Sequence, residues 1–171
     1  MNNRAALAIA SIMAMLAAAP GQAAGPADCA DPGSQDFDFW VGEWNVTNVG
    51  NGDRVGRNRI EPILGGCVLR ETWAGASGNS GTSLNFFDTQ RGRWRPFWVW
   101  RQGTTLELEG EYRDGHMVLS GEACAPDGKT TLNRITWHNN ADGTVRQQWE
   151  IPRDGGQPWE TIFDGMCRKR P

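Results

Sequence analysis

The sequence predicts an all-β fold, an antiparallel up-and-down barrel of about ten strands with a short N-terminal plug. Three observations carry this. After residue 36 no window sustains a 3.6-residue hydrophobic period, whereas strict alternation runs through Trp94-Arg95-Pro96-Phe97-Trp98-Val99-Trp100-Arg101 and Thr105-Leu106-Glu107-Leu108-Glu109. The runs are short and evenly spaced, and 22 Gly and 9 Pro punctuate them. Between them stand Asn51-Gly52-Asp53, Gly65-Gly66, Asp114-Gly115, Asp127-Gly128, Asp142-Gly143 and Asp154-Gly155-Gly156, which offer the positive φ of tight hairpins. Consecutive hairpins form a meander, and a meander of about ten strands removes its two edges by closing.

The elements follow in order. Residues 1–24 read as a secretory signal peptide: Arg4, the apolar run 5–19, then Pro20-Gly21-Gln22-Ala23-Ala24, too short for a retained spanning helix. Residues 25–35 form an extended lead-in, and residues 36–171 the barrel domain. Phe37-Asp38-Phe39-Trp40 is a dense aromatic knot suited to a short helical plug. Strands are expected at 43–49, 54–62, 66–73, 81–88, 93–101, 104–111, 115–123, 130–138, 143–151 and 158–168. The glycine-rich stretch 74–81 reads as a connector, or as a flap over the barrel mouth.

Charge and cysteine usage bound the function. The net charge is −3 and the 17 Lys and Arg are dispersed, which argues against nucleic acid as a partner. With the signal removed, no membrane span is expected, and the protein is placed in the periplasm or outside the cell. There Cys29, Cys67, Cys124 and Cys167 would form two disulfides; of three possible pairings, Cys29 with Cys67 and Cys124 with Cys167 are favoured, each about 40 residues apart. No Cys-x-x-Cys or Cys/His spacing suits a metal, and no cofactor is expected. No Gly-x-Ser-x-Gly elbow or phosphate-binding loop is present.

Phe39-Trp40-Val41-Gly42-Glu43-Trp44 resembles the Gly-x-Trp opening of lipocalin-like, or calycin, barrels. More broadly the chain resembles a bacterial family of uncharacterised secreted lipocalin-like proteins. The resemblance runs through Phe37-Asp38-Phe39-Trp40-x-Gly-x-Trp44, Asn58-Arg59-Ile60-Glu61, Gly65-Gly66-Cys67, Glu71-x-Trp73, Ser83-Leu84-Asn85, Trp94-x-x-x-Trp98-Val99, Arg134-Ile135-Thr136-Trp137 and Phe163-Asp164-Gly165. It implies the barrel and a first Trp entering the core, and supplies no reaction. Trp100 stands where that family usually has an acid. A late basic residue, here Arg168, is expected to pack on Trp44. Haem-holding nitrobindin-like barrels are a neighbouring resemblance, but segment 159–168 contains no His.

Nine Trp against one Tyr point to an aromatic lumen. Trp94, Trp98 and Trp100 share parity on one strand; facing inward with Trp73 and Trp149 they would line a cavity for a flat or amphipathic molecule, or else simply fill it. Glu71 shares a face with Leu69 and Trp73. Arg134 shares parity with Leu132, and Arg59 precedes Ile60, so an Arg–Glu pair across the lumen is expected, with Asn85 as a neutral donor and acceptor. Such groups would suit a carboxylate or a phenol. Three functions follow: a barrel binding a small, largely apolar or aromatic molecule through Arg59, Glu71, Trp73, Asn85, Trp94, Trp98, Trp100, Arg134 and Trp149; a lyase, isomerase or hydratase with Glu71 as acid or base and Arg134 steadying an anion; or a structural or protein-interaction module with a filled core.

Overall fold

Alternation along each strand sorts apolar side chains to one face, and closure of the sheet turns that face into a lumen. The computed structural model describes residues 29–124, 128–153 and 156–170; the expected signal segment lies outside them. Eleven antiparallel strands follow one another: β1 Gly42–Asn48, β2 Arg54–Ile63, β3 Val68–Gly75, β4 Ser80–Asp88, β5 Arg93–Trp100, β6 Thr105–Glu107, β7 Glu109–Arg113, β8 His116–Cys124, β9 Thr130–Asn139, β10 Val145–Pro152 and β11 Trp159–Lys169. Each pairs with its chain neighbours except around β6 and β7, β1 pairs with β11, and the sheet closes.

The sixth expected strand is divided at Leu108. β6 and β7 both lie along β5 in one continuous register, Phe97 opposite Glu107 and Trp94 opposite Gly110. Between them the Leu108 amide donates to the Pro96 carbonyl at 3.2 Å. Pro96 has no N–H to return, so the ladder lapses for one step. The β7–β8 hairpin is the two-residue turn its sequence predicts, with Asp114 at φ 52° and Gly115 at φ 84°.

One barrel end is stoppered by the chain's own beginning. A 3-10 turn at Asp38–Trp40 places Phe37 and Trp40 in the lumen, where Phe37 stacks on Trp40 at 4.9 Å and meets Trp94 and Trp137 edge-on at 5.5 and 5.2 Å. The Trp44 indole donates to the Trp40 carbonyl at 2.8 Å, and the Trp94 indole to the Gly33 carbonyl at 3.0 Å. These two donors are thereby satisfied by backbone, whereas the Trp40 indole N–H is buried without a partner. The lead-in is not fully extended: Pro32–Gln35 forms a 3-10 turn capped by Asp31, with Ser34 buried.

Disulfide Cys29–Cys67 ties this plug to the β2–β3 turn. The expected second bridge is absent: Cys124 and Cys167 are free thiols, one exposed and one buried. β9 and β10 stand between their strands, and at about 4.8 Å per strand that spacing is far beyond the reach of a disulfide. Arg168 does not cover Trp44 either. It points outward to Thr47, and the next residue, Lys169, brings its ammonium to 5.5 Å from the Trp44 ring. No helix among the described residues is long and apolar enough to cross a membrane.

Candidate functional site

The other barrel end holds a cavity of about 120 Å³. Since about 10–15 Å³ of such space admits one water, it has room for several waters or a small organic molecule. Its polar centre is built on three adjacent strands. Inward positions alternate as Gly56, Asn58 and Ile60 on β2, Leu69, Glu71 and Trp73 on β3, and Ser83, Asn85 and Phe87 on β4. Register sets Glu71 opposite Ser83 and Leu69 opposite Asn85.

Glu71 is 6% exposed. Asn58 Nδ2 donates to its Oε1 at 2.7 Å and Ser83 Oγ to its Oε2 at 2.7 Å, while Asn85 Nδ2 donates to Ser83 Oγ at 2.8 Å and to the Leu69 carbonyl at 3.0 Å. Burial pushes the Glu71 carboxyl up to about 7, against the pull of its two hydrogen bonds, because neither partner is a cation. Asn58 Oδ1 is buried without a partner. A half-turn of that amide would present an acceptor to a protonated Glu71, so the pair can serve either charge state.

Aromatic walls surround this centre. Trp98 and Trp100 stand edge to face at 5.6 Å on β5, and Trp100 stacks on Trp149 of β10 across the lumen at 6.0 Å. Trp73 meets Phe163 of β11 edge-on at 6.2 Å. Glycine makes the space: a side chain at Gly81 would meet the Trp98 ring, and one at Gly56 the Trp73 ring. Trp149 Nε1 donates to Asn133 Oδ1 at 2.9 Å, whereas the indole nitrogens of Trp98 and Trp137 have no partner. Trp137 is the floor, touching Phe37 and Trp40 of the plug on one side and the cavity on the other.

Of the residues expected from sequence, Glu71, Trp73, Asn85, Trp98, Trp100 and Trp149 line this one cavity. Trp94 points inward but belongs to the plug end. Arg59 and Arg134 are on the outside, which corrects the expected Arg–Glu71 pair. Arg59, with its side chain 57% exposed, binds Glu61 at 2.8 Å. Arg134 binds Glu150 at 3.0 Å and lies over the Trp159 ring at 4.0 Å. β9 faces inward with Asn133, Ile135 and Trp137, and Leu132, at 40%, is exposed. Sequence reasoning missed Trp137, Gln147, Phe163 and the donor role of Asn58; parity with Ile60 was a signal that could have found the last.

The glycine-rich stretch 74–81 is a paired hairpin. Gly75 N donates to the Asn79 carbonyl at 2.8 Å and Ala76 N to the Val55 carbonyl at 2.9 Å, and Asn79 reaches the cavity. The two His form a cross-strand pair on the outer wall, ring centroids 4.5 Å apart. Among the described residues no cluster of three or more His, Cys, Asp or Glu could hold a metal. No protein-family model matches the chain, and no curated protein matches it.

Proposed function

We propose that this protein is an exported lipocalin-like barrel that binds a small, largely apolar or aromatic molecule in its Trp-lined cavity. One observation carries the reading: the lumen is stoppered at one end by Phe37, Trp40 and Trp94, yet at the other it keeps about 120 Å³ among Trp73, Trp98, Trp100 and Trp149 around the buried Glu71 carboxyl. A core needed only for stability would be filled, since unfilled volume costs packing energy. The disulfide at Cys29–Cys67 suits an oxidising compartment.

The test is titration with N-phenyl-1-naphthylamine, a neutral apolar fluorophore, alongside native mass spectrometry of protein taken gently from the exporting host. Saturable dye binding that Trp98→Ala weakens at least fivefold, or a discrete adduct lost on denaturation, is the expected result. Dye that does not bind, together with a clean apo mass, would overturn the reading in favour of an interaction module. A second reading, acid–base catalysis, is favoured by one observation: Glu71 faces the cavity with a carboxyl pushed up to about 7, where it can both give and take a proton. On that reading turnover disappears in Glu71→Gln while dye binding persists.

A further inference from the structure

The sign of the cavity's electrostatics narrows the ligand further. Glu71 is the single ionisable group that lines it among the described residues, and no Lys, Arg or His stands beside it. Its oxygens are held by two neutral donors, Asn58 and Ser83. Arg59, Arg134 and Arg146 are all on the outer wall, paired with Glu61, Glu150 and Asp164. Round the carboxylate stand Trp73, Trp98, Trp100 and Trp149, whose ring faces are themselves negative. Every strong electrostatic feature of the lumen therefore has one sign. An anion finds no cation there, only neutral donors such as the unpartnered indole N–H groups of Trp98 and Trp137, so the carboxylate ligand expected from an inward Arg134 loses its basis. A buried carboxylate without a cation is costly, and a cation delivered with the ligand removes that cost.

The kind of cation follows from what else is present. A hard metal ion such as calcium takes about six to eight oxygen ligands, and one carboxylate with neutral amides falls well short. Indole faces, by contrast, attract organic cations and pack against apolar bodies at once. We propose that the cavity binds an organic ammonium ion, an amine on a small apolar or aromatic body. Its N–H groups donate to Glu71 and its charge lies against the indoles of Trp98, Trp100 and Trp149. This rests on the cavity being a ligand site, as proposed above. The groups facing Glu71 do not compete for the charge: Asn58 from β2 and Ser83 and Asn85 from β4 are neutral. The Cys167 thiol of β11, pushed up to about 12 by burial and by Glu71 itself, stays protonated.

Three probes of nearly equal size separate the possibilities: phenethylammonium, 2-phenylethanol and phenylacetate, each titrated calorimetrically against the full protein at pH 8. The expected order is phenethylammonium at least tenfold tighter than 2-phenylethanol, and phenylacetate weakest. In Glu71→Gln, and in the unaltered protein at pH 5, where Glu71 holds its proton, the tenfold preference should collapse to threefold or less. The alcohol or phenylacetate binding as tightly as the ammonium would overturn the proposal. So would a preference that survives both Glu71→Gln and pH 5, because the carboxylate would then not be its source. If all three probes fail to bind while N-phenyl-1-naphthylamine binds, the cavity is a ligand site without cation preference. If the dye fails as well, the binding function falls with it.

Discussion

Replacing Glu71 by Gln changes one atom in the polar centre and removes one titration, which makes its effect on stability calculable. The folded protein holds the Glu71 carboxyl up to about 7, against an ordinary value of 4.5 that applies once the chain unfolds. Between those values the unfolded chain has released its proton and the folded chain has kept it. Stability is therefore fully present below pH 4.5, falls as pH rises toward 7, and is level above. At roughly 1.4 kcal/mol per pH unit the loss is about 3 kcal/mol. The glutamine side chain keeps the shape, accepts from Asn58 through its oxygen, donates to Ser83 through its nitrogen, and does not titrate. Urea denaturation followed by Trp fluorescence at pH 4 to 8.5 measures both proteins. The variant should gain about 3 kcal/mol on the parent from pH 4 to pH 8, a midpoint difference of about 1.5 M at a typical urea slope of about 2 kcal/mol/M. Taking the difference cancels other titrating groups, His138 included. Parallel profiles, with the gap constant to within about 0.5 kcal/mol, would show that Glu71 is solvated and that the argument from burial is wrong.

Other consequences are as direct. Thiol titration without reductant should find one reactive group in the native protein, Cys124, and two after unfolding, because Cys167 is buried with its thiol held protonated; no thiol in the unfolded protein would restore the Cys124–Cys167 bridge. Replacing Cys29 by Ser opens a loop of sequence separation 38, and the folded state should lose up to about 4 kcal/mol in chemical denaturation. Gly81→Ala places a methyl against the Trp98 ring and the Val99 carbonyl; it should cost about 1–3 kcal/mol and weaken dye binding, and a neutral outcome in both would show that β4 and β5 can part without cost. Arg134→Ala removes a partly buried outer-wall pair with Glu150 and the contact with the Trp159 ring, and should cost about 1–3 kcal/mol with dye binding unchanged.

What the sequence made legible follows from which signals are local. Hairpin turns and alternation are local, and so the strand positions were readable to within about two residues, with the tight turn at Asp114-Gly115 among them. The division at Leu108 was not, because it depends on a missing donor in the partner strand, Pro96. Facing was readable where apolar neighbours agree. Leu69 and Trp73 flank Glu71 and set it inward correctly. On β9 they disagree: Leu132 has one parity, Ile135 and Trp137 the other, and anchoring on Leu132 turned Arg134 inward when two votes against one set it outward. The same one-residue inversion separates Arg168 from Lys169 at Trp44. Cysteine pairing is the least local of these signals. Equal spacing of about 40 residues described both candidate bridges, yet only Cys29 and Cys67 are brought together, by the plug folding back onto the β2–β3 turn.

On the proposed reading one barrel end serves stability and the other binding, and the indole N–H groups of Trp44, Trp94, Trp98 and Trp149 differ accordingly. At the plug end Trp44 and Trp94 donate to backbone carbonyls of the same segment that Cys29 staples down, so these two rings are fixed by groups that cannot rotate away, while the Trp40 indole N–H has no acceptor and its ring is held by stacking on Phe37. At the mouth the only satisfied indole among Trp98, Trp100 and Trp149 for which the structure gives a donor bond is Trp149, and its acceptor is a side chain, Asn133. Trp98 has no acceptor, and Trp100 and Trp149 meet each other across the lumen through ring contact alone. Contacts of that kind re-form in a new arrangement at little cost, whereas a backbone-anchored indole loses its bond outright when it moves. Truncating Trp44 or Trp94 should therefore lower stability by about 3–5 kcal/mol with little change in which molecules bind. Truncating Trp100 or Trp149 should alter binding first and stability second.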